Sequence, residues 1–66
     1  MATLKVIELL AQSEESWEDA ARVAVKKASD SLRGVKSIYI KEFEAQVKDG
    51  RITQYRVNAK VSFELD

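Results

Sequence analysis

Hydrophobic and polar residues change period along this chain, and the changes mark its elements. From Thr3 to Leu10 the residues are mostly Leu, Val and Ile, with Lys5 and Glu8 breaking the run. This predicts a short first strand, partly buried on both faces. After Ser13 the period becomes three to four: Trp17, Ala21, Ala24, Ala28 and Leu32 share a stripe that Ala20 and Val25 widen. The spacing predicts an amphipathic helix of about 17 residues, ~25 Å long. Ser13 or Ser16 can cap its amino end. Ser16 and Asp19 resemble a capping box with the shorter acid, and Glu18 and Asp19 suit the positive end of the helix dipole. Arg33 falls in the last turn, and Gly34 can adopt the left-handed conformation that stops the helix.

The second half is extended. Val35 to Val47 and Thr53 to Leu65 flank "KDGR", and an Asp-Gly pair between two such runs signals a tight hairpin. With Asp49-Gly50 as a two-residue loop, residues whose numbers sum to 99 face each other. One face then pairs Ile38 with Val61, Ile40 with Ala59 and Glu42 with Val57. The other pairs Ser37 with Ser62, Tyr39 with Lys60, Lys41 with Asn58 and Phe43 with Arg56. The order strand, helix, strand, strand predicts an α+β fold: a three-stranded antiparallel sheet, one helix on one face, a single domain over residues 1–66. The second sheet face, carrying Gln54, Arg56, Asn58, Lys60, Ser62 and Glu64, is left bare in a lone chain.

The last strand is too long for the domain that contains it. Its 13 residues would span roughly 43 Å if straight, whereas a compact chain of this length has a radius of gyration of about 11 Å. The helical stripe is mostly alanine and buries little area per residue. Both observations point to burial completed by further copies of the chain. The 66 residues contain no Cys and no His, which removes disulfides, thiolate sites and ordinary zinc sites as alternative supports. The lack of cysteine agrees with a reducing, cytoplasmic location.

Eleven basic residues balance eleven acidic ones, so no overall field draws nucleic acid or an anionic membrane. The amino-terminal apolar run is too short to span a membrane and lacks the features of a signal peptide; it reads as mature protein. Catalytic groups are missing as well. No His, Cys, glycine-rich phosphate loop or suitably placed carboxylate pair is present, and the chain is expected not to be an enzyme. Glu14, Glu15, Glu18 and Asp19 crowd a helix start, where the dipole alone explains them. Trp17 lies on the apolar stripe and reads as packing at the helix start or a subunit contact.

The segments "KVIELLAQSEESWEDAARVAVKKASDSLRGV" and "VKDGRITQYRVNAKVSFEL" resemble the dodecins, with "YRVNAKVSFEL" the most specific piece. The resemblance covers nearly the whole chain. It implies a hollow homododecamer in which long, bent strands contact neighbouring subunits and the inward sheet face binds flavin, as FMN or riboflavin. In flavin-binding members a tryptophan stacks on the ring and a glutamine bonds its edge. Those two positions fall on Ser37 and Arg56 here, which makes them the candidate cofactor-binding residues, both substituted. Serine offers no ring, and arginine can donate to a flavin carbonyl but cannot accept from its N3 group. Arg56 could instead hold an anion or pair with a carboxylate across a subunit interface. These departures resemble the calcium-dodecin branch, which implies a flavin-free, ion-associated assembly. No metal ligands can be assigned from this sequence, which has no loop of alternating acidic ligands.

Overall fold

A computed structural model describes residues 3–65; Met1, Ala2 and Asp66, at the ends of the expected 1–66 domain, lie outside the described residues. Strand β1 (Leu4–Ser13), helix α1 (Trp17–Ser31), strand β2 (Val35–Lys48) and strand β3 (Arg51–Glu64) follow in that order. The strands form one antiparallel sheet in the order β1-β3-β2, and α1 lies on one face. The α+β expectation holds. The last strand is the central one, so its even alternation describes a segment paired on both sides.

β1 differs from expectation in extent and exposure. It runs on to Ser13, because its whole length pairs with β3 from Leu4 opposite Glu64 to Ser13 opposite Tyr55. Ala11, Gln12 and Ser13 have no strong strand pattern of their own and are held by that ladder. Only one face is covered: Leu9 and Ala11 pack toward the helix, while Leu4, Val6 and Leu10 remain exposed.

Both candidate capping serines are used, in separate roles. Ser16 is the N-cap, with extended backbone, and its Oγ accepts from the Asp19 N–H at 2.9 Å. The Asp19 carboxylate accepts from the buried Ser13 Oγ at 2.5 Å, and that Oγ accepts from the Glu15 N–H at 2.9 Å. Ser16→Ala is expected to cost about 1 kcal/mol, a fall in melting midpoint of roughly 4–8 °C. A thermal scan by circular dichroism checks this. At the other end the expectation needs correction. The helix stops at Ser31, Leu32 is already extended (φ −124°, ψ 146°), and Arg33 lies outside the last turn. Gly34 does take positive φ (+69°), but there it turns the chain into β2 while its carbonyl accepts from the Glu64 N–H at 3.0 Å.

The core is thin. Its fully covered apolar residues, among those described, are Ala11, Ala20, Ala24, Ala28, Val57, Ala59 and Val61. Ala20, Ala24 and Ala28 form the helix's buried line, with Trp17, Ala21 and Leu32 only half-buried, so the helix is rolled slightly from the predicted stripe. Alanines let α1 lie close to the sheet, and Val57 and Val61 are the largest fully buried side chains. A 15-residue helix covers ~22 Å, less than half of a 14-residue strand of ~46 Å. The chain measures 50 × 19 × 13 Å, with a radius of gyration of 13.4 Å, against about 11 Å for a compact chain of this length. Its exposed area of 5047 Å² exceeds the ~4,250 Å² expected of a compact monomer of this mass. The excess is comparable to one partner's share of an ordinary protein interface, about 800 Å².

Asp49 (φ 53°) and Gly50 (φ 74°) form the predicted two-residue hairpin loop, with positive φ at both central positions. The predicted register holds from Ser37–Ser62 to Ile40–Ala59 and again at Val47–Ile52 and Lys48–Arg51. Between these stretches it is displaced by one: Glu42 faces Asn58, Phe43 faces Val57 and Glu44 faces Arg56. The expected pairings of Lys41 with Asn58, Glu42 with Val57 and Phe43 with Arg56 are therefore corrected. Irregularities between Ile40 and Glu42 and between Gln46 and Val47 begin and end the displacement. The cause lies beneath the sheet. A straight ladder would set Glu42 and Glu44 on the helix side, against Val57 and Tyr55, and leave the Phe43 ring on the open face. Burying unpaired carboxylates costs far more than a local bulge. The extra residue Lys41 reverses the parity, turning the carboxylates outward and Phe43 toward Trp17, with which it makes an edge contact at 6.1 Å.

Candidate functional site

The helix-free face of the sheet carries the residues expected there from β3. Arg56 sits near its middle and is bonded to both neighbouring strands. Its Nε and Nη2 donate to the Gln12 side-chain carbonyl on β1 at 3.0 and 2.7 Å, and its Nη1 donates to the Glu44 carboxylate on β2 at 3.2 Å. The guanidinium thus spans three strands. Its side chain is 26% exposed and that of Glu44 60%, so solvent reaches the pair and screens it. The expected carboxylate partner lies across a subunit interface; the carboxylate that Arg56 meets here is Glu44 of its own chain.

Ser37 lies on the same face but not in the same place. Its hydroxyl bonds that of Ser62, its cross-strand neighbour. Ser62 is six residues from Arg56 along β3, about 20 Å away. One chain therefore does not bring the two candidate residues together. Tyr39, 65% exposed, faces Lys60 across the ladder as predicted. Lys41, beside the irregularity, reaches over β3 to Glu8 at 3.4 Å.

Trp17 occupies the opposite face. Its ring meets Tyr55 edge-on at 4.8 Å and Phe43 at 6.1 Å, and its Nε1–H donates to the Glu44 carbonyl at 2.8 Å. The indole is packed at the helix start. The nearby acids are also occupied: Glu18 pairs with Arg22 one turn on, and Asp19 accepts from Ser13.

The sequence reading missed Gln12 and Glu44. Gln12 meets Arg56 only because β1 pairs with the last strand, and Glu44 only because of the irregularity after Ile40. Neither an acid near the middle of β2 nor a glutamine ending β1 is distinctive alone.

Two groups implied by the family resemblance can be tested on these residues. For a stacked flavin, Ser37 supplies no ring and Arg56 already donates to Gln12 and Glu44, so the arrangement does not fit a tight sandwich. For calcium, six to eight oxygen ligands are preferred. A cleft of about 160 Å³ beside Leu10, Glu42, Glu44 and Asn58 holds two carboxylates, but Glu42 accepts from Asn58 Nδ2 at 3.2 Å and Glu44 from Arg56. The described residues contain no group of three or more acids, His or Cys placed to hold a metal. The residues of one chain do not compose a calcium site.

Fold and face together define a class: a very small α+β protein whose long antiparallel sheet is covered on one side by one helix and presents on the other a mixed surface, polar along β3 and with exposed apolar residues on β1. This chain belongs to the dodecin family, whose family model matches residues 3–66. It is 38% identical to the calcium dodecin of Mycobacterium tuberculosis over 66 residues, covering 98% of this chain and 92% of that protein. It is 31% identical to a dodecin of Thermus thermophilus over 62 residues, covering 94% of this chain and 90% of the relative. Among solved structures, the dodecin of Streptomyces coelicolor superposes with a TM-score of 0.95 at 29% identity, covering 98% and 93% of the two chains. The M. tuberculosis calcium dodecin, described as calcium chelating with a novel calcium-binding site, superposes at 0.85 with 35% identity, covering 97% and 91%.

Proposed function

We propose that this protein is a non-catalytic, self-assembling dodecin: twelve copies close into a hollow shell, and the helix-free sheet face, turned inward, holds a small ligand. One observation carries this reading. The elongated sheet leaves that face uncovered along its length, with Leu4, Val6, Leu10 and Tyr39 at 50–66% exposure, a condition that association relieves.

The family resemblance implies a ligand of flavin type, FMN or riboflavin. A second reading, a flavin-free assembly of the calcium-dodecin kind, takes precedence on a specific observation. Both flavin-contacting positions are substituted, and both are satisfied inside the chain: Ser37 by Ser62, Arg56 by Gln12 and Glu44. The missing stacking ring alone forfeits ~0.5–1.5 kcal/mol beyond its area. An associated ion would have to be held by carboxylates pooled from several copies, since the described residues of one chain bring no three acids together.

Titration of riboflavin and FMN with the purified protein separates the readings. Unchanged flavin fluorescence at micromolar protein is expected; quenching would restore flavin as the ligand. Native mass spectrometry is expected to give about 90 kDa for twelve copies of the 7.5 kDa chain. A lone chain at micromolar concentration would end the shell proposal.

A further inference from the structure

Trp17 and Arg56 lie on opposite faces of the sheet, yet both are bonded to Glu44. The indole N–H takes the Glu44 carbonyl at 2.8 Å, and the Glu44 carboxylate takes Arg56 Nη1 at 3.2 Å. The rings beside Trp17 belong to the adjoining residues: Phe43 precedes Glu44, and Tyr55 precedes Arg56. The aromatic cluster on one face therefore grips the backbone of the pair displayed on the other. The grip matters here because the ladder is irregular at both ends of this stretch, after Ile40 and after Gln46, so pairing with β3 constrains Glu44 less than in an unbroken ladder.

We infer that Trp17 is a positioning residue for the Glu44–Arg56 pair, holding through the sheet the geometry of the helix-free face. The coupling runs both ways, as linkage requires. A group competing for Arg56, which offers only donors and so selects an anion, displaces the Glu44 carboxylate and disturbs the indole bond behind it. This last step rests on the helix-free face being the ligand face; the positioning role does not.

Trp17 is the single tryptophan of the chain, so its indole N–H gives one resonance in the intact assembly, and hydrogen exchange at that proton reads the coupling. Arg56→Ala is expected to speed exchange about two- to fivefold, the range open to a solvent-screened pair. Glu44→Gln, which keeps the backbone and removes the charge, shifts it in the same direction, and Lys60→Ala on the same face leaves it unchanged. Conversely, Trp17→Phe retains a ring but no donor and is expected to speed exchange at Arg56 Nε–H by a similar factor, with the Val57 and Ala59 amides unaffected. An indole rate indifferent to both Arg56→Ala and Glu44→Gln overturns the proposal. So does a Trp17→Phe protein in which all amides of the hairpin loosen equally, since that marks general packing. Added inorganic phosphate is expected to shift the indole resonance in the native chain and not in Arg56→Ala. If the variants behave as expected and phosphate shifts nothing, the anion reading of the face fails while the positioning role stands.

Discussion

Ala24→Leu is expected to destabilise the fold by about 1–3 kcal/mol, the cost of forcing extra methylenes into a packed core. Ala24 is 2% exposed and belongs to the same cluster as Ala11, Ala20 and Val57. Its methyl group sets how closely α1 rests on the sheet. A leucine there must lift the helix or displace Val57, and either movement uncovers apolar area that this small core cannot replace. At 0.05–0.15 kcal/mol per residue, a chain of this size has a total stability of roughly 3–10 kcal/mol, so the change removes a large fraction. Urea titration of the variant should show a lower midpoint with little change in slope. A midpoint equal to that of the native chain would mean that the helix has slack over the sheet, against the packing described above.

A second large effect is expected from dilution. If copies of the chain complete the burial, folding and association are linked, and the melting midpoint follows concentration. A tenfold dilution weakens a coupled assembly by up to ~1.4 kcal/mol per subunit. In a domain this small, 1 kcal/mol moves the midpoint by about 4–8 °C. A fall of roughly 5–10 °C per tenfold dilution is therefore expected, followed by circular dichroism at high concentration and tryptophan fluorescence at low. A midpoint constant across a hundredfold range would show that one helix over half a sheet suffices, despite the 50 Å extent and 5047 Å² of exposed surface.

These two experiments address different levels of the structure. The alanine line acts within one chain, where α1 meets β3. Dilution acts between chains, on the face that α1 never reaches. A variant that loses stability at all concentrations has lost the first; one that loses it only when dilute has lost the second.

The sequence alone determined the element order, a serine cap at Ser13 or Ser16, the Asp49-Gly50 loop and the surplus of two-sided sheet; the structure chose Ser16 for the cap. Each depends on neighbours a few residues apart: side-chain period, a capping oxygen three residues from its donor, positive φ where Asp and Gly tolerate it. Tertiary structure alone decided that β3 is central, that β1 continues to Ser13 and that the Arg56 guanidinium meets Gln12 and Glu44. The reason is that strand faces alternate with a period of two, so a single extra residue at Lys41 exchanges inside for outside. Whether that exchange is favourable depends on where Trp17 rests, a contact 26 residues distant from Phe43 in sequence that no local pattern records.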